Sequence, residues 1–146
     1  MEDKKYGCIK ICRKKIIWTP PATGAYSKEI WAPEIHYLQG KWHAYFAADS
    51  GNNFNRRIYV LENASKDPLQ GEWIMKGKLN LPGNKWAIDA SVFENKGKVF
   101  VIGSGWKDDV NSEQDIFIAQ LKNPWTAEGK RTLVSAPLIH GNKMAI

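Results

Sequence analysis

A four-strand pattern is written twice in this chain, and that repeat constrains the fold more than any other feature. Glu34–Leu38, Lys41–Ala48, Arg57–Glu62 and Glu72–Lys76 read as strands: short, rich in β-branched and aromatic residues, and separated by Gly, Asn and Asp. Ala90–Glu94, Lys98–Ser104, Asp115–Leu121 and Arg131–Val134 form a second set. Gly40-Lys41 recurs as Gly97-Lys98, and Pro68 recurs as Pro124 at nearly the same spacing. At the first of these spacings Ile35 falls on Val92 and Phe46 on Gly103. Gln39-Gly40 and Lys96-Gly97 read as tight hairpins, while Asp67-Pro68 and Asn123-Pro124 break the chain. Four antiparallel strands at a fixed period are the pattern of β-propeller blades. A sandwich with two similar hairpins is the competing architecture.

The expected fold is therefore all-β and almost free of helix. Residues 1–30 are an irregular lead-in, a remnant of a preceding blade. Residues 31–80 and 81–137 are the two four-stranded blades, and 138–146 are a tail. Within the lead-in, Ile9–Cys12 and Lys15–Trp18 read as short strands, and Thr19-Pro20-Pro21-Ala22-Thr23-Gly24 as a loop. A propeller closes with about four to eight blades. Two blades predict a portion of a longer polypeptide, or a homo-oligomer that completes a ring, because lone blades leave apolar faces and open strand edges in water.

Composition narrows the partners. The net charge is +6, but Lys4, Lys5, Lys10, Arg13, Lys14 and Lys15 against Glu2 and Asp3 place most of it in the first fifteen residues. No nucleic-acid motif accompanies that run, so it reads as a solvated terminus and nucleic acid is not an expected partner. No apolar run approaches the roughly 18 residues that span a bilayer, so no membrane is expected either. Cys8 and Cys12 make neither a disulfide framework nor a metal-ligand spacing.

One carboxylate stands out. Asp89 opens the strand-like run Lys85-Trp86-Ala87-Ile88-Asp89-Ala90-Ser91-Val92-Phe93, where an Asp either closes a turn through its own side chain or serves a site. Its counterpart one repeat earlier is Ala32. The scaffold does not require an acid there, which points Asp89 toward function.

Ile30-Trp31-Ala32-Pro33-Glu34-Ile35-His36, Lys85-Trp86-Ala87-Ile88-Asp89, Ser104-Gly105-Trp106 and Asn123-Pro124-Trp125-Thr126 resemble glycoside hydrolase family 43, and within it the α-L-arabinofuranosidases. The likeness runs from about Ile16 to about Pro137 and covers the middle blades. It implies a five-bladed propeller, an inverting hydrolysis of terminal α-L-arabinofuranosyl linkages in arabinan or arabinoxylan, an extracellular setting and no organic cofactor. It also implies three acids: a general base, a second carboxylate that tunes the acid and holds the sugar, and a Glu as general acid. Asp89 matches the second. The other two have no match, since Met1–Lys15 shows no suitable strand and the acid's Glu-Gly-Pro element would follow Pro137. Inversion needs an acid and a base roughly 6.5–9.5 Å apart. The 146-residue chain alone is therefore expected to be inactive. The alternative is a non-catalytic carbohydrate-binding or interaction module that oligomerises to complete a propeller.

With Asp89 as the catalytic candidate, the substrate-binding candidates are Trp31, Trp86, Ser104, Trp106 and His36. Trp42 and Trp73 lie within strands and read as core. Trp31, Trp86 and Trp106 flank strand ends, as core edge or as sugar platforms. Trp106 is the better platform, because Gly105 lets the chain turn and expose the ring. Glu34 and His36 share a strand face by two-residue alternation, and His36 either enters the channel or is structural. His43 reads as surface or structural. Asp109, Asn111, Glu113 and Asp115 alternate as in a calcium loop, but Gln114 and Gln120 replace the required Gly and Glu, so the loop reads as solvated and no metal is expected. Asn63-Ala64-Ser65 fits the N-glycosylation pattern.

Overall fold

In a computed structural model, which describes residues 14–111 and 113–137, the chain forms two four-stranded antiparallel sheets. The first contains β1 (Lys28–Leu38), β2 (Lys41–Asp49), β3 (Arg57–Asn63) and β4 (Ile74–Lys78). The second contains β5 (Ala87–Asn95), β6 (Lys98–Trp106), β7 (Gln114–Asn123) and β8 (Thr126–Ser135). Strand order follows sequence order in both sheets. Each sheet is thus a meander of consecutive strands, whereas a Greek-key sandwich passes strands back and forth between its sheets.

The repeat is visible in the backbone. Gln39 and Gly40 both take positive φ (51° and 79°), as do Lys96 and Gly97 (50° and 74°). Positive φ at both loop residues is the type I′ hairpin, whose twist matches that of its strands. At the two chain breaks, Asp67 Oδ1 accepts the amide of Leu69 (2.9 Å) and Asn123 Oδ1 accepts that of Trp125 (3.1 Å). Each is an Asx-turn built by the residue before the proline.

Leu38, Tyr45, Ile58, Val60 and Leu79 of the first half of the chain meet Ala87, Ala90, Val92, Val99, Val101, Ala119 and Leu121 of the second in one apolar core. Burying about a dozen such side chains, at ~1.5–3 kcal/mol for each of the larger ones, is what fastens blade to blade. Polar links run through the same seam. Buried Tyr45 donates its hydroxyl to the carbonyl of Pro124 (2.7 Å), and Asn80 exchanges backbone hydrogen bonds with Trp125 and Ala127. Burial raises the Tyr45 phenol well above its ordinary range, which keeps it a donor.

The other face of the first sheet carries Ala44, Phe46, Ala48, Tyr59, Leu61 and Trp73, and Ile17, Trp18 and Tyr26 cover it. Trp18 lies 5.3 Å from Phe46, centroid to centroid. Lys15–Trp18 is therefore not the short strand expected from its residues: it has no ladder partner among the described residues, and Ile17 and Trp18 pack on the core instead. Ile9–Cys12, Cys8 and the tail after Pro137 lie outside the described residues. The far face of the second sheet exposes Phe93 and Ile116, with Phe93 stacked on Phe100. Among the described residues no helix is long and apolar enough to cross a membrane.

At the hairpin end of the first sheet, His43 is buried with its Nε2 3.4 Å from Glu62 Oε2, while Lys41 and Lys76 reach Glu62 Oε1 (3.2 and 3.5 Å). Burial lowers the His43 pKa from 6.5 against the opposing pull of Glu62. Burial alone would raise Glu62, but the Lys41 hydrogen bond and the charges of Lys76, Lys41 and His43 outweigh it and hold the carboxyl below 4.5. In both cases the unfolded chain takes up a proton that the folded chain refuses, so stability rises with pH. The urea midpoint is expected to fall as pH drops below 6.5 toward the lowered His43 pKa, and again below 4.5 toward the lowered Glu62 pKa. His43→Gln should flatten the first step and leave the second. A midpoint that rises on acidification, or a first step unchanged in His43→Gln, contradicts this account.

Candidate functional site

The first strand of each sheet is interrupted at the same place. In β1 the register shifts between Lys28 and Trp31 and again between Trp31 and Glu34; in β5 it shifts between Ile88 and Ser91. Ala32 and Asp89, the pair related by the sequence repeat, both sit inside these bulges with left-handed φ (43° and 53°). Glu29, on the other side of Trp31, is left-handed as well (φ 51°). Non-glycine residues in this region carry strain of about 1–3 kcal/mol each and cluster at functional sites. Bulges also re-aim side chains and end regular pairing. Of the residue types found here, Asp tolerates the left-handed backbone best, through local hydrogen bonding.

Asp89 is exposed and lines a hollow with Ile102, Gly103, Ser104 and Ile116. Gly103 is required by the bulge: a Cβ there would stand 3.0 Å from the Ile88 carbonyl oxygen and 3.5 Å from that of Asp89. Ser104 is half-buried and donates to Gln114 Oε1 (3.4 Å).

Trp31 lies in a different hollow, an open cleft of about 340 Å³ lined by Glu29, Trp31, Asp49, Gly51, Asn53 and Arg56. Trp31 is 43% exposed. The Arg56 guanidinium lies over the ring, 3.4 Å from its centroid, and the indole Nε1 donates to Glu29 Oε2 (3.2 Å). Arg56 is itself held by Asp49, whose Oδ2 accepts from Nε (3.1 Å) and Nη2 (2.7 Å) while Oδ1 accepts the Gly51 amide (2.7 Å). Asp49 and Arg56 are buried.

Trp86 and Trp106 are not open platforms. They are 4% and 2% exposed and stack on each other at 5.1 Å and 7°. The expected turn at Gly105 does not occur, since β6 stays paired through Gly105 and Trp106. That glycine is needed for another reason: a Cβ would stand 3.0 Å from the Trp86 carbonyl oxygen. The stacked pair instead supports the loop that carries Arg56. Trp86 Nε1 donates to Asn53 Oδ1 (3.2 Å), and Phe54 packs edge-on against Trp106 at 5.6 Å. His36 pairs with Glu34 (Nε2 to Oε2, 3.0 Å) on the shared face expected from alternation, with its ring edge toward Tyr45, and lines neither hollow.

Three other candidates take structural roles. His43 is buried and not at the surface. Asn63 is 1% exposed, its amide donating to the Gln70 carbonyl (2.7 Å) and accepting from the Ser65 amide (2.8 Å), so the glycosylation pattern is committed to a turn. In the acidic loop, Asp109 pairs with Lys85 (2.7 Å) and Asp115 is buried, and no group of three or more metal-ligating side chains exists among the described residues.

Paired meanders whose first strands bulge at the repeat-related Ala32 and Asp89 fit consecutive blades of a β-propeller. The family model for glycosyl hydrolases family 43 matches residues 10–142. A protein of Streptomyces avermitilis described as an extracellular exo-alpha-(1->5)-L-arabinofuranosidase is 38% identical over 84% of this chain and 26% of its own length. One of Streptomyces chartreusis with the same description is 33% identical over 92% of this chain and 42% of its own. The crystal structure of an alpha-L-arabinofuranosidase from Lactobacillus brevis superposes with a TM-score of 0.73 and 33% identity, over 82% of this chain and 40% of that one. The chain belongs to glycoside hydrolase family 43 and is two blades of its propeller. It spans between about a quarter and about two fifths of the length of these relatives.

Proposed function

We propose that the chain is the portion of an extracellular α-L-arabinofuranosidase in which Asp89 orients the sugar and tunes the general acid, while Trp31 walls a separate cleft that holds another part of the substrate. The observation that carries this is the bulge. It holds an exposed carboxylate in a strained backbone at one blade of a repeat whose other blade has Ala32 in the same conformation. The relatives' descriptions support arabinose-containing oligo- or polysaccharide as the substrate class and an extracellular setting. An inverting reaction is proposed on the family's three-acid arrangement. One carboxylate orients, and a separate acid and base stand on opposite faces of the sugar. Asp89 supplies the first of these functions and not the other two.

The 146-residue chain is expected to bind linear arabino-oligosaccharides in calorimetry without releasing nitrophenol from a nitrophenyl α-L-arabinofuranoside. Asp89→Asn should abolish that binding while leaving the thermal midpoint unchanged, because Asn keeps the left-handed backbone. Release of nitrophenol by the pure chain, lost in Asp89→Asn, would show that it carries its own acid and base. Absence of binding by the intact chain would sink the sugar reading altogether.

A further inference from the structure

The Trp31 cleft holds a feature that the arabinofuranosidase reading does not use. A buried guanidinium is fixed on one face of an exposed indole. We propose that Arg56 is the positioning residue of a sugar-stacking subsite on Trp31, with Asp49 locking the guanidinium, Glu29 locking the indole edge, and a neutral pentose unit as the ligand. This rests on the arabinose-binding reading for its ligand, and on geometry for its parts.

The stacking surface is prepared in layers. The two bulges around Trp31 break its strand from regular pairing and carry the ring out of the sheet. Arg56 then covers one face at van der Waals distance, so the 43% of Trp31 that stays exposed belongs to the rest of the residue. A planar guanidinium held at two nitrogens by one carboxylate oxygen cannot rock, and an indole held by that plane and by Glu29 cannot rotate. An aromatic ring fixed before the ligand arrives loses less side-chain freedom on binding, which is where preorganisation gains affinity. Lysine does not substitute at such a position, because an ammonium neither stacks nor forks.

The polar fittings define the ligand class. Asp49 pairs closely with Arg56 Nη2 (2.7 Å) and Glu29 Oε2 stands 3.9 Å from the same Nη2, so two carboxylates face one guanidinium, and the exposed Glu29 at the ring edge suits a sugar hydroxyl and not a uronate. Asn53 completes the rim and is tied to Trp86.

The test follows the seven tryptophan indole N–H resonances by nitrogen–proton NMR, with Trp31 assigned by its loss in Trp31→Phe. Adding arabinotriose to the intact chain is expected to shift the Trp31 resonance, and digalacturonate is expected not to. Arg56→Lys should move the Trp31 resonance in the free protein and weaken arabinotriose about tenfold, the equivalent of ~1.4 kcal/mol. Should Arg56→Lys fail to fold, Glu29→Ala serves, since it leaves the buried pair intact. It should move the same free-state resonance and weaken binding roughly threefold, the order of one lost hydrogen bond. Arabinotriose that binds by calorimetry without moving Trp31 overturns the subsite and leaves the arabinose reading standing. Binding at Trp31 with unchanged affinity in a folded Arg56→Lys, or in Glu29→Ala, overturns the positioning role, and an equal response to digalacturonate overturns the neutral ligand. No binding of arabinotriose at all removes the arabinose reading and this subsite with it.

Discussion

Arg56→Met is expected to cost about 3–5 kcal/mol of unfolding free energy in urea titration, the largest single effect of any charged residue in the described chain. Asp49 is fully buried, and both of its oxygens are spent on Arg56 and the Gly51 amide. Removing the guanidinium leaves a carboxylate that is buried in the native fold without its hydrogen-bonded counter-charge. Asp49→Asn should also be costly, since its one amide oxygen can serve Gly51 only by turning an NH2 toward the Arg56 donors, which leaves the guanidinium with Glu29 at 3.9 Å as its remaining counter-charge. The double variant Asp49→Leu/Arg56→Met should recover much of the loss, because replacing a whole buried pair by apolar residues of similar volume is often neutral. A coupling energy near zero in that double-mutant cycle would mean the two side chains act independently, contrary to the hydrogen bonds between them. The consequence for the cleft is separable from stability. The double variant regains its fold stability, yet it has lost the plane beneath Trp31.

This pair marks the boundary of what the residues alone revealed. The hairpins at Gly40 and Gly97 and the breaks before Pro68 and Pro124 were legible, because turn chemistry is local and each signal occurs twice at nearly one spacing. The strand starts were not. β1 begins at Lys28 and β5 at Ala87, earlier than the expected Glu34 and Ala90, and the missed residues are those of the bulges. Pro33 and a residue with positive φ interrupt the alternation that identifies a strand, so the bulge hid the element that carries it. Asp89 stands out because its repeat partner is Ala32. The same spacing sets Asp49 against Trp106, an acid against an aromatic, and so carries a signal of the same kind for the buried acid. Arg56 offered less. Within Asn52-Asn53-Phe54-Asn55-Arg56-Arg57 it reads as one more solvated loop charge, and only the placement of Asp49 and Trp31 shows that it is inside.

Trp106→Ala is expected to be the second large loss, about 3–5 kcal/mol, as for other fully buried aromatic truncations. The ring is 2% exposed between Trp86 and Phe54, and no smaller side chain fills that gap. Trp106→Phe isolates a different quantity. The indole Nε1 of Trp106 is buried without a partner among the described residues, and such a donor costs about 1–3 kcal/mol. Phenylalanine removes the unpaired N–H along with one ring's worth of packing, so the two changes oppose and the net is expected within about 1 kcal/mol of zero. The two variants therefore separate packing from polarity at one position. Because Phe54 rests on Trp106 and Asn53 on Trp86, Trp106→Ala should also loosen the segment that delivers Arg56 to Trp31. Its free-state Trp31 indole resonance should then move toward that of Arg56→Lys, while Trp106→Phe leaves it in place. A Trp106→Ala protein with a native-like Trp31 resonance would show that the stacked pair supports the blade and not the cleft.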